Sequence, residues 1–145
     1  MPEQETIRRA QEDAEQGKAP STQAGEFVRE EIHHVREGKH GASSAKQAIA
    51  IGLSKARRAG VKLAPPKGPA AIRKKAAQDT AAGEHTKQKK SQKRSRATLN
   101  ALRRKSGTAA SHQSLSRTAK SSAAKRGKPA RSEAAKKEAR TRRAA

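Results

Sequence analysis

The chain has 145 residues, 35 Lys+Arg against 13 Asp+Glu, and a formal net charge of +22. It contains no Cys, no Trp, no Tyr and one Phe, and only 31% of its residues are hydrophobic even with alanine counted. The 15 large apolar side chains (Met, Ile, Leu, Val, Phe) are too few to offset the roughly 1–2 kcal/mol per residue that ordering the backbone costs. A globule spanning the whole chain is therefore excluded, as are a disulfide scaffold and a thiolate metal site. No apolar run approaches the ~20 residues of a membrane helix, and the polar, acidic start at residues 1–16 is unlike a secretory leader. A cytoplasmic protein without membrane contact is expected.

In chain order, residues 1–20 form a polar N-terminal segment, in which residues 5–16 carry a helical pattern with only Ile7 and a few alanines to bury. Residues 21–64 read as a two-helix module. Ala24, Phe27/Val28, Ile32 and Val35 recur every three to four positions and predict a helix over about 23–37. Ser21 or Thr22 is its candidate cap, and Gly38 and Gly41 its exit. Ser44-Ala45-Lys46-Gln47 fits a capping box that opens a second helix over about 45–59. Its apolar stripe is Ala45, Ala48/Ile49, Leu53, Ala56 and Ala59, with Lys46, Lys55, Arg57 and Arg58 mostly off it. Gly60 suits the left-handed residue past the end, with Val61 returning onto Ala56, and Gly52 permits close approach of the first helix. Two helices make a thin core, so self-association through Phe27 and Ile51 is one way to complete it.

Charge and apolar content divide at one boundary. Residues 1–64 hold 11 basic and 9 acidic residues, net +2; residues 65–145 hold 24 basic and 4 acidic, net +20. Nine of the 15 large apolar residues lie between Phe27 and Leu63. Pro65, Pro66 and Pro69 mark the change, because proline lacks an amide donor and stops a helix.

The run Lys46–Gly60, KQAIAIGLSKARRAG, resembles the signature of a family of small basic bacterial proteins classed as a domain of unknown function. Glu26-Phe27-Val28 and Arg36-Glu37-Gly38-Lys39 resemble its upstream element, so the likeness covers about residues 21–66. The resemblance implies a bacterial source and a soluble two-helix unit. It implies no activity, catalytic residue or cofactor.

The segment 65–145 reads as a Pro/Gly linker followed by a largely disordered basic tail, since like charges repel and little apolar surface offsets ordering. The fold class expected is thus mostly α with extensive disorder. The candidate nucleic-acid-binding residues are Lys87, Lys89, Lys90, Lys93, Arg94, Arg96, Arg103, Arg104 and Lys105, then Arg117, Lys120, Lys125, Arg126, Lys128, Arg131, Lys136, Lys137, Arg140, Arg142 and Arg143. Lys46, Lys55, Arg57, Arg58 and Lys62 are candidates for additional contacts to phosphates. The segment 131–140 should become helical once neutralised, with Ser132 as cap and Glu133–Lys137 as a supporting pair. The composition is similar to linker-histone tails.

Phosphates along a polyanion match this pattern, and neutralising them releases condensed counterions. Base readout needs a rigid element, and stacking on single strands needs aromatic platforms; the tail offers neither. DNA is favoured over RNA as the partner. His33, His34 and His40 cluster near the end of the first helix but read as exposed helix-ending residues, with Glu30, Glu31 and Glu37 on the helix surface, so no metal site is expected. No phosphate loop or catalytic triad is visible, and neither an enzyme nor a cofactor is expected. The reading is non-enzymatic, sequence-nonspecific DNA binding of a nucleoid-associated, histone-like kind. The alternatives are a regulatory, stress or plasmid-maintenance protein whose helix pair grips a protein partner, and an RNA- or ribosome-associated protein.

Overall fold

The computed structural model describes residues 2–85 and 91–144. Among them, regular structure consists of helices α1 (Gln4–Glu15), α2 (Pro20–Arg36), α3 (Ala45–Arg58), α4 (Ala70–Glu84), α5 (Gln92–Arg103) and α6 (His112–Ala144), with a 3-10 turn at Gly107–Ala110. The chain divides into two compact units, one running to Ser111 and one starting at His112.

In the first unit, α2 is the central element and packs against α1, α3 and the 3-10 turn. Its start differs from expectation: Pro20 occupies the first turn and Ala19 caps it without a side-chain hydrogen bond, so Ser21 and Thr22 lie inside the helix. Proline's fixed φ and missing N–H suit that first position. The start of α3 follows the expected capping chemistry, with Ser44 Oγ accepting from Gln47 N at 3.2 Å. Gln47 Oε1 in turn accepts from Ser43 N, one residue before the cap, at 2.6 Å. At the far end Gly60 adopts φ +95°, and Val61 N donates to Ala56 O at 3.1 Å, closing the C-terminal glycine motif. Val61 joins Ala10, Ala24, Phe27 and Ala56 in one buried cluster, with Ile7, Leu53 and Leu63 packed on it. Gly52 allows α3 to lie directly on α2: a Cβ there would stand 2.7 Å from Val28 Cα.

Phe27, the residue expected at a self-association face, is 1% exposed and already covered within the chain. The N-terminal helix supplies part of that cover, through Ile7 and Ala10.

The expectation of a two-helix module followed by a largely disordered tail is overturned. The described residues beyond Pro69 are mostly helical, and parts of them pack on the module. Helix α4 docks on α3, with Gly83 so close to the Arg57–Arg58 backbone that a Cβ would collide with Arg57 O. Ala109 and Ala110 are buried where the 3-10 turn meets α2 and α3, and Arg36 Nε donates to Ala110 O at 3.0 Å. Two backbone bonds tie the α2–α3 loop to the same stretch: Gly41 N to Leu102 O at 3.0 Å and Ala42 N to Ser106 O at 3.2 Å.

The physical reason is alanine. Of the 13 buried hydrophobic residues among those described, nine are alanine, so counting large side chains understates what the chain can bury. Small side chains let helices approach closely, and close packing gains dispersion contacts across the whole helix face.

Helix α5 has no buried residue. It is built from strong helix formers and capped by Ser91, whose Oγ accepts from Arg94 N at 3.4 Å. The second unit is α6 alone, broken at Gly127, where φ is +72° and ψ 169°, two residues before Pro129. The segment 131–140 is helical within it, and Ser132 lies inside the helix, not at a cap.

Candidate functional site

The basic candidates fall into two classes. Lys93, Arg94, Arg96, Arg103, Arg104 and Lys105 lie on or just past α5, and all are exposed. Arg117, Lys120, Lys125, Arg126, Lys128, Arg131, Lys136, Lys137, Arg140, Arg142 and Arg143 are exposed along α6. Lys87, Lys89 and Lys90 lie outside the described residues. Residues 112–144 carry 11 basic and two acidic residues, a net of +9. Glu133 takes Lys136 at 3.2 Å and Glu138 takes Arg142 at 2.6 Å. Each helical residue advances about 1.5 Å, so these charges are spread along the helical stretches on either side of Gly127.

The second class lies on and after α3, where the fold itself uses most of the candidates. Lys46 and Lys62 are exposed, but Arg57 is buried. Arg58 is held by Asp79 of α4, with Nη2 to Oδ1 at 2.7 Å. Lys55 reaches Glu30 Oε1 at 2.9 Å and Glu31 Oε2 at 2.8 Å. Helix α3 thus places Lys55 and Arg58 in internal ion pairs and leaves Lys46 exposed.

Asp79 explains the docking of α4. It is 1% exposed and accepts from Ser54 Oγ at 2.7 Å, Arg58 Nε at 2.8 Å and Lys75 Nζ at 2.6 Å. Burial pushes its carboxyl up, but the hydrogen bonds from Lys75, Ser54 and Arg58 outweigh that and hold it below the ordinary aspartate value.

The acidic residues of α2 contradict their expected place on the helix surface. Glu30 and Glu31 are both buried, Glu31 completely. Glu31 stands four residues from Phe27 and from Val35, on the apolar stripe itself. That spacing was the available signal, as was Lys55, three residues past Gly52 on the facing side of α3. Burial raises the Glu30 carboxyl, while hydrogen bonds from Lys55, the Glu3 amide and Thr6 more than compensate, leaving it below its usual value. For Lys55, burial works downward, but contact with Glu31 and Glu30 lifts it above the ordinary lysine range.

His33 is exposed as expected, whereas His34 and His40 are largely covered and face each other edge-on, ring centres 6.1 Å apart. At the rim, Glu3 meets His34 Nε2 at 2.8 Å and Lys39 Nζ at 3.3 Å. Hydrogen bonds from His34 and Lys39 lower its carboxyl.

Residues 17–68 match a family of unknown function (DUF6496). No curated protein matches the chain, and no solved structure does. The matched stretch encloses α2, α3 and the loop between them, and so includes Glu30, Glu31, His40 and Lys55. No described helix is long and apolar enough to cross a membrane.

Proposed function

We propose that this is a non-enzymatic protein that binds nucleic acid without sequence preference, DNA ahead of RNA, in the manner of a nucleoid-associated, histone-like protein. The contacts come from exposed cations on α5 and α6, joined by Lys46 and Lys62. The observation that carries this reading is the charge partition: +20 of the +22 lies in residues 65–145. The proposed mechanism is phosphate neutralisation with counterion release, in which helical rods replace the flexible tail expected from composition. The commitment of Lys55, Arg57 and Arg58 within the fold supports phosphate contact over base reading. Compact helices α1–α4 organise the cationic segments.

The test is fluorescence anisotropy of a labelled duplex with the full chain across a salt series. Each phosphate neutralised contributes about −0.9 to the slope of log K against log salt. If half of the +9 in residues 112–144 engages, stopping the chain after Ser111 flattens the slope by about 4. Binding that ignores salt, or no binding at cytoplasmic ionic strength, overturns the reading. An unchanged slope in the shortened chain removes α6 from the interface.

A further inference from the structure

The α2–α3 loop brings together donors that the charge argument leaves unused. Glu31 and His34 stand three residues apart on one face of α2. The chain then reverses at Gly38, where φ is +73°, and His40 returns over the same face. One ligand atom from each of Glu31, His34 and His40 lies within 4.8 Å of the other two. The side chains are 0%, 13% and 10% exposed respectively.

The hydrogen bonds around these groups set their chemistry. His34 Nε2 lies 2.8 Å from Glu3 Oε1; a carboxylate only accepts, so Nε2 carries the hydrogen and neutral His34 keeps its lone pair on Nδ1. His40 Nδ1 lies 3.2 Å from Gly41 O, so neutral His40 keeps its lone pair on Nε2 by the same logic. That Nε2 stands 3.3 Å from Glu31 Oε1. Two acceptors facing each other in a buried place are relieved by a proton or a metal ion between them. Lys55 Nζ pairs with Glu31 Oε2 at 2.8 Å, whereas Glu31 Oε1 has no hydrogen-bond partner and faces His40.

We propose that Glu31, His34 and His40 form a binding site for a divalent transition metal of the zinc class. Two imidazoles and one carboxylate suit zinc, cobalt or nickel, whereas calcium and magnesium take oxygen donors. The partners on the far nitrogens, the Glu3 carboxylate and the Gly41 carbonyl, are the outer-shell groups that orient histidine ligands. Bonds of about 2.0–2.2 Å set ligand atoms roughly 3.5 Å apart; Glu31 Oε1 and His40 Nε2 already stand at 3.3 Å, so binding draws His34 toward them from within 4.8 Å. The local charge permits it: Glu3, Glu30, Glu31 and Glu37 stand against Lys39 and Lys55, a net of −2 with both histidines neutral. The ion would clamp the α2–α3 loop onto α2.

Calorimetry of the full chain, free of any histidine tag, with zinc chloride should show one site of micromolar or tighter affinity. Cobalt(II) should give visible absorption bands that zinc abolishes. His40→Gln, a loop substitution, should weaken zinc at least tenfold with helical circular dichroism unchanged. Glu3→Gln should cost about tenfold or more by loosening His34. His33→Gln should change nothing. No saturable binding at tens of micromolar zinc overturns the proposal. So does an affinity that His40→Gln leaves intact or that His33→Gln lowers equally, either of which assigns the metal to surface histidines.

Discussion

Residues before and after Pro69 are both helical but hold their shape by different means. In the front region an apolar stripe closes over Phe27, and Glu30 and Glu31 of the same helix are buried against Lys55. Behind it, alanines and one buried aspartate decide which segments dock. Helix α4 has Ala76 and Asp79 turned inward and packs on α3; α5 has no buried residue and keeps its cations in water. The difference teaches that net charge governs where a helix lies more than whether it forms. Like charges four residues apart cost a helix only a few tenths of a kcal/mol each, less than alanine-rich propensity returns over several turns.

The largest break in this comparison should come from Phe27→Ala. Removing the one aromatic side chain from a fully buried position should cost about 3–5 kcal/mol, read as a lowered denaturation midpoint. Because α1 and α3 share that cluster, the loss should appear across the whole front region. A cost below about 1 kcal/mol would show that alanine packing alone holds the front together.

Asp79→Ala should act more locally. It leaves Arg58, Lys75 and Ser54 without their shared acceptor and should cost about 1–3 kcal/mol, seen as lost hydrogen-exchange protection in α4 with α2 retained. Acid should reproduce the effect in the unaltered chain. The folded-state pKa of Asp79 is lowered from 3.8, so its contribution is complete above that ordinary value. It fades as pH falls through it and is gone below the folded-state value. Protection of α4 that is unchanged by acid would place its docking on Ala76 and the Gly83 contact instead.

The smallest expected effect is Ser44→Ala, about 1 kcal/mol from loss of the cap on α3. It sharpens the comparison because that cap is purely local. Exchange in the first turn of α3 should rise while α4 and α6 stay as they are.

Local features were legible from residue order. The α3 capping box, the glycine stop at Gly60, the contact of Val61 with Ala56 and the close approach at Gly52 depend on residues within a few turns, and the periodicity exposes them. The start of α2 was misplaced because Pro20 fits the first turn without help from Ser21 or Thr22. Helical order beyond Pro69 is not legible from the count of large apolar residues, because alanine makes up most of the buried hydrophobic residues among those described. Buried Glu30 and Glu31 were missed because glutamate on a helix defaults to the surface; their burial depends on Lys55 arriving from another helix.

What the sequence by itself determined is the distribution of charge, the helical periodicity and the helix ends, since these depend on neighbours along the chain. Only the tertiary structure decided that Asp79 anchors α4 and that His40 folds back over Glu31. It also decided that Arg57 and Lys55 are withdrawn from the surface. Those outcomes arise from pairing groups nine or more residues apart in sequence, where the cost of desolvating a charge is settled by partners that residue order does not reveal.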